Sequence, residues 1–153
     1  METSSRVVTA IDQLIELFNR RGEDLPDGLF DRRTQFLLNG LSFEERLGRS
    51  ASDPLVLMLA RGPAGYRFAL KAIVHAVPDA RLQRGDIAES TTDDGLVVRW
   101  QCWLSGRLRG TQQPIETVFE SAFDLGPSGV VRRASVVLAE AELARLREAR
   151  LRP

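Results

Sequence analysis

The chain is poor in the residues from which metal sites, disulfides and nucleophilic dyads are built. Its 153 residues hold one cysteine (Cys102), one histidine (His75), one tyrosine (Tyr66) and one lysine (Lys71). A single cysteine excludes an internal disulfide and fits a reducing compartment. One histidine and one cysteine cannot supply the usual zinc ligands. Charge of one sign is also lacking: 21 basic residues face 21 acidic ones. That balance argues against a nucleic-acid or anionic-membrane footprint. No apolar run approaches the ~18 residues of a membrane span. The opening "METSSRVV" lacks the charged-then-apolar pattern of a secretory leader. There is no phosphate-binding glycine loop, no internal repeat and no linker-like tract. The expectation is a cytoplasmic protein that uses neither nucleic acid nor membrane, and neither metal nor organic cofactor.

What is present suits a soluble globular domain, with 43% hydrophobic and 27% charged residues. The length predicts one domain over residues 1–153. Val7, Val8, Ile11, Leu14, Ile15 and Phe18 recur at helical spacing over 5–20. Ser4 or Ser5 could cap the start of that helix and Gly22 could end it. Residues 23–52 are ambiguous: Leu29, Phe30, Arg33, Phe36 and Leu37 favour a short helix, while "FLLNGLSF" could be a hairpin about Asn39-Gly40. "LSFEERLG" reads as a short strand or extended segment. The run from Asp53-Pro54 to Gly62 is either a short capped helix or a buried strand.

Residues 63–76 predict a helix that is apolar around most of its circumference. Arg67, Lys71 and His75, spaced by four, give it one narrow polar stripe that points His75 outward. Strands follow over 81–90, 96–105, 113–125 and 130–138, and a helix over 139–151. Four arginines at its end (Arg145, Arg147, Arg150, Arg152) suit the negative end of the helix dipole. Helices first and consecutive strands afterwards predict an α+β fold: N-terminal helices packed in the concave face of a curved, mainly antiparallel sheet, with a C-terminal helix.

Alternation assigns the strand faces. Leu96, Val98, Trp100, Cys102 and Leu104 share one face of their strand; Ile115, Thr117, Phe119, Ser121 and Phe123 share one face of the next. Taken as inner faces, they line an apolar pocket interrupted by Cys102, Thr117 and Ser121. Outside, Arg99 can meet Glu116 or Glu120 across strands. Trp103 and Val118 on that outer face suggest a partner surface, most simply a symmetric homodimer.

The stretch "DPLVLMLARGPAGYRFALKAIVHAVPDARL" (residues 53–82), followed by "LVVRWQCWLSG" and "SGVVRRASVVL", resembles the nuclear-transport-factor-2-like superfamily. The Asp-Pro pair, the glycine before a helix and the Pro-Asp leading into a strand are similar to its SnoaL-like polyketide cyclase and ketosteroid isomerase-like group. The resemblance implies an α+β cone and cofactor-independent cyclase, isomerase or dehydratase chemistry on a hydrophobic carbonyl or polyketide-like substrate. It places Asp53 where such enzymes carry a general base. Asp53 is also explained without chemistry, and more simply, as a helix cap whose side chain ties down the next turn. Tyr66, Trp100, Cys102, Thr117, Phe119 and Ser121 would then shape the substrate pocket. The inner faces offer no second acid. The epoxide hydrolases of this fold set an arginine between two aspartates, but here Gln101 stands near Arg99 where an acid is needed, and Asn39 has nothing to complete it as a water ligand. The alternative is a non-catalytic module of the same fold, binding a hydrophobic ligand or assembling as a homodimer.

Overall fold

Helix α1 (Glu2–Asn19) opens the chain in the computed structural model, which describes residues 2–46 and 60–151. Its apolar stripe buries Val7, Ala10, Ile11, Leu14, Leu17 and Phe18, as a one-faced amphipathic helix must. It begins earlier than expected, so Ser4 and Ser5 fall inside the helix and not at its start. Its end differs as well. Arg21, not Gly22, takes the left-handed conformation (φ 58°). The Arg21 N–H donates to the Phe18 carbonyl at 3.0 Å and the Gly22 N–H to Leu17 at 2.9 Å, the paired bonds of a Schellman end. A non-glycine residue is held there because its guanidinium donates to the carbonyls of Phe18, Pro78 and Ala80 at 2.6, 3.0 and 2.7 Å.

The leaning toward helix in residues 23–52 is corrected by strand β1 (Phe30–Leu38). Asn39 (φ 49°) and Gly40 (φ 82°) turn the chain into the two-residue strand β2 (Leu41–Ser42). Two successive left-handed residues are what a tight hairpin turn requires. The helix-like spacing arises because the pairing of β1 with the final strand shifts register between Phe30 and Gln35, which spoils strict alternation. Helix α2 (Phe43–Arg46) follows directly. Ser42 and Glu45 cap it reciprocally: each backbone N–H donates to the other's side-chain oxygen at 3.2 Å, a capping box.

Helix α3 (Gly62–Ala76) confirms the helix expected over 63–76, with Arg67, Lys71 and His75 exposed. Gly62 (φ 65°) opens this helix; the short helix or strand expected between Asp53 and Gly62 lies mostly outside the described residues. A Cβ there would lie 2.7 Å from the Asp31 carbonyl oxygen, so only glycine lets α3 start against β1. The strands β3 (Arg81–Thr92), β4 (Gly95–Arg107), β5 (Pro114–Leu125) and β6 (Val131–Val137) then run as expected, and helix α4 (Glu140–Arg150) ends the described chain.

The sheet order is β2-β1-β6-β5-β4-β3. Neighbours are antiparallel except β1 and β6, which are parallel. The sheet does not close on itself, and it realises the α+β cone. Asn39 serves the structure itself. Its amide nitrogen donates to the Leu138 carbonyl and to Glu140 Oε1, both at 3.0 Å, and its oxygen accepts from the Leu138 N–H at 2.9 Å. It therefore fastens the hairpin turn to the start of α4, and is not a water ligand.

Buried residues form two clusters. One joins α1 and β1 to Val98, Trp100, Cys102 and Phe123. The other gathers Phe18, Ala76, Val77, Leu104, Ile115 and Ala149. On the outer face, Arg99 lies opposite Ala122, so Glu120 is its diagonal neighbour while Glu116 sits opposite Ser105, too far along to meet it. Trp103 is half-buried because its ring covers Gly85 of β3; a Cβ on Gly85 would meet it at 2.9 Å.

Candidate functional site

The inner faces assigned by alternation are the buried ones. Val98, Trp100, Cys102 and Leu104 on β4, and Ile115, Thr117, Ser121 and Phe123 on β5, are all enclosed. Opposite them, α3 turns Ala69, Ala72 and Ala76 inward at helical spacing. Three alanines on the face that meets the sheet leave a space that larger residues would fill. The result is a cavity of about 560 Å³, within the usual range of small-molecule sites. Helix α4 adds Leu143, Leu146, Arg147 and Arg150 to its wall.

Aromatic packing places Tyr66. Its ring centroid lies 5.0 Å from that of Phe30 and 6.2 Å from that of Phe36, and Phe30 stands edge-on to Phe123 at 5.8 Å. Burial, and then the neighbouring Cys102, raise the Tyr66 phenol well above the ordinary tyrosine value. It stays protonated and can donate a hydrogen bond. Among the described residues no enclosed side-chain nitrogen or oxygen lacks a partner. The Tyr66 and Ser121 hydroxyls, which bond to no described residue, therefore open onto the cavity they line. Burial pushes the Cys102 thiol up to about 12, against the lowering effect of backbone bonds at Gln83 and Trp103. A thiol so held is neutral and a poor nucleophile.

Five of the residues expected at a site line the cavity together: Tyr66, Trp100, Cys102, Phe119 and Ser121. Thr117 is buried on the same sheet face but lies outside that lining. Asp53 falls outside the described residues, as does the rest of 47–59. Arg99 is exposed on the opposite face of the sheet. Among the described residues the cavity wall holds no aspartate, glutamate or histidine, and its charged members are Arg46, Arg147 and Arg150. No group of three or more His, Cys, Asp or Glu side chains is placed to hold a metal ion among those residues.

The arginines are what sequence reasoning missed. The signal was available for α4, where Leu143, Leu146, Arg147 and Arg150 fall at i, i+3, i+4 and i+7 and so share one face. Arg46 carried no comparable signal. Its Nε donates to the Leu38 carbonyl at 3.1 Å, and Nη2 bonds the same oxygen.

Beside the cavity, Glu44 is 3% exposed and accepts a charge-assisted bond from Arg61, the residue before α3. Burial alone would raise the Glu44 carboxyl. Bonds from Arg61, Ser42 and its own backbone, with the Arg61 charge, outweigh burial and hold it below the ordinary glutamate range. The pair ties α2 to the start of α3.

No protein-family model matches the chain, and no curated protein matches it significantly. Solved structures do. An NTF2-like protein of unknown function from Exiguobacterium sp. 255-15 superposes with a TM-score of 0.59 at 14% identity, over 86% of this chain and 98% of that one. A candidate polyketide cyclase from Xanthomonas campestris pv. campestris gives 0.61 at 19% identity, over 95% and 97%. The epoxide hydrolase/cyclase-like enzyme SalBIII, with a role in pyran ring formation in the polyether salinomycin, gives 0.61 at 15% identity, over 92% and 96%. No helix among the described residues is long and apolar enough to cross a membrane. An open six-stranded mixed sheet, helices in its concavity and these superpositions together give the chain the nuclear-transport-factor-2-like fold, the α+β cone it shares with SnoaL-like proteins.

Proposed function

We propose that this protein encloses a hydrophobic, carbonyl-bearing small molecule in its cone and acts on it by cofactor-independent acid–base chemistry of the cyclase or isomerase kind. The observation that carries this reading is the apolar cavity with the Tyr66 hydroxyl opening into it, unengaged by any described residue. A buried neutral phenol is suited to donate to a carbonyl oxygen as negative charge develops there. Asp53 is the proposed base, on the resemblance of its Asp-Pro pair. Trp100, Cys102, Phe119 and Ser121 would shape the pocket, with Thr117 buried beside them on the same sheet face. The cyclase-like chemistry of structural neighbours supports the class and not a substrate.

A second reading, non-catalytic ligand binding, is favoured by one observation. No carboxylate or imidazole lines the cavity among the described residues. The two readings separate with 2-tetralone, an apolar ketone with exchangeable α-protons, followed by NMR in heavy water. A catalytic cone accelerates deuterium uptake at least ~100-fold over buffer, the scale of general acid–base assistance. Asp53→Asn abolishes that gain and Tyr66→Phe reduces it. Binding of the ketone with no acceleration would establish the second reading.

We also propose that the outer sheet face forms a homodimer. Val118 is 42% and Val137 50% exposed there, around the half-covered Trp103. Sedimentation at micromolar concentration should return twice the 17.0 kDa chain mass; a clean monomer would refute it.

A further inference from the structure

The four arginines near the C-terminus do not share one role. Arg145 pairs with Glu142 on its own helix at 3.2 Å. Arg147 and Arg150 are exposed, line the cavity, and have no carboxylate partner among the described residues. A residue both exposed and part of the wall sits where the cavity meets solvent. Leu41 and Phe68, 48% and 41% exposed, are wall residues of the same kind. Arg46, half-buried, is also part of the wall, with its guanidinium oriented by the Leu38 carbonyl. Away from the arginines, the polar side chains that line the cavity among the described residues are the Tyr66 and Ser121 hydroxyls, the Ser135 hydroxyl and the Cys102 thiol.

We infer that the ligand is an acidic amphiphile: an apolar body inside the cone and one oxyanion group, of the carboxylate or sulfonate kind, at the opening against Arg147 and Arg150. This rests on the reading of the cavity as a ligand site and specifies the chemistry it takes. A wall whose charged members among the described residues are all guanidinium groups favours an anion over a neutral or cationic head at its opening. A helix-dipole role alone would stabilise α4 without reading the ligand.

The test uses two fluorescent probes that share an anilinonaphthalene body. One, 8-anilinonaphthalene-1-sulfonate, carries a sulfonate; N-phenyl-1-naphthylamine is neutral. The full chain should bind both and prefer the sulfonate by about tenfold at low salt, a preference that salt weakens. Arg147→Ala/Arg150→Ala should erase the preference and leave the Kd of the neutral probe within about twofold. Ala72→Trp, which fills the cavity, should abolish binding of both and so locate them. If the neutral probe does not bind the unmodified chain, the cavity reading itself fails. If it binds but the sulfonate is not preferred, or the double variant keeps the preference, the inference alone is overturned. Sulfonate binding that survives Ala72→Trp overturns it too, since the anion then sits elsewhere.

Discussion

The cavity has two walls, and they are held in different ways. On the sheet side, β4 and β5 pair without a register shift from Leu96↔Leu125 to Arg107↔Pro114. Each inward side chain is placed by a backbone ladder, and Trp100 and Phe123 also by an edge-on ring contact at 4.9 Å. On the helix side, α3 and α4 rest on the sheet and on each other through side chains: Leu70, Ile73 and Leu146 around Ala76 and Ala149. The single buried electrostatic tie described there is Glu44–Arg61. A rigid wall sets the outline of a ligand, while a wall of packed helices sets how much room is left and what guards the opening.

Substitutions on each wall test this contrast. The largest effect is expected on the sheet wall. Phe123→Ala removes a buried ring that touches both Phe30 and Trp100, and should cost ~3–5 kcal/mol by chemical denaturation. Next comes the tie between α2 and α3. Glu44→Gln leaves Arg61 without its buried counter-charge, at a cost of ~3 kcal/mol. Because the folded pKa of Glu44 is depressed, its contribution is complete above the unfolded value of about 4.3 and fades as pH falls through the lower folded value. Denaturation midpoints measured from neutral to acid pH should show that loss in the native chain and not in the variant.

The helix wall should respond less. Leu143→Ala deletes a buried side chain from α4, and ~2 kcal/mol is expected, at the low end for such deletions because the helix can settle inward. A loss equal to that of Phe123→Ala would end the distinction between the walls. The smallest effect belongs to Asp12–Arg84, which joins α1 to β3 at 2.5 Å with Asp12 53% exposed. Asp12→Asn should change stability by less than ~1 kcal/mol, as exposed pairs do, and high salt should shrink the difference further.

These contrasts explain what could be read from the letters. The long strands β4 and β5 were legible because each is solvated on one face, and alternation alone then names the pocket residues Trp100, Cys102 and Ser121. Strand β1 was not legible, since its partner β6 lies far along the chain and its own pattern is broken by a register shift. The Ser42–Glu45 capping box had a local signature, Ser-x-x-Glu, and was available before the structure. The arginines of α4 looked like dipole partners because sequence shows where a helix ends, not which of its faces meets a cavity. Tyr66 was found by rarity; its standing as an unengaged donor needed the burial and the neighbours.

The parallel pairing of β1 with β6 also orders events in time. The Thr34 hydroxyl donates to the Val131 carbonyl across 97 residues of chain. During synthesis, Phe30 and Phe36 leave the ribosome long before the strand that will cover their edge exists. Such distant closure is slow and leaves an unpaired edge in the meantime. A chain stopped before residue 131 should therefore collect in aggregates, its N-terminal hairpin waiting for a neighbour that never arrives.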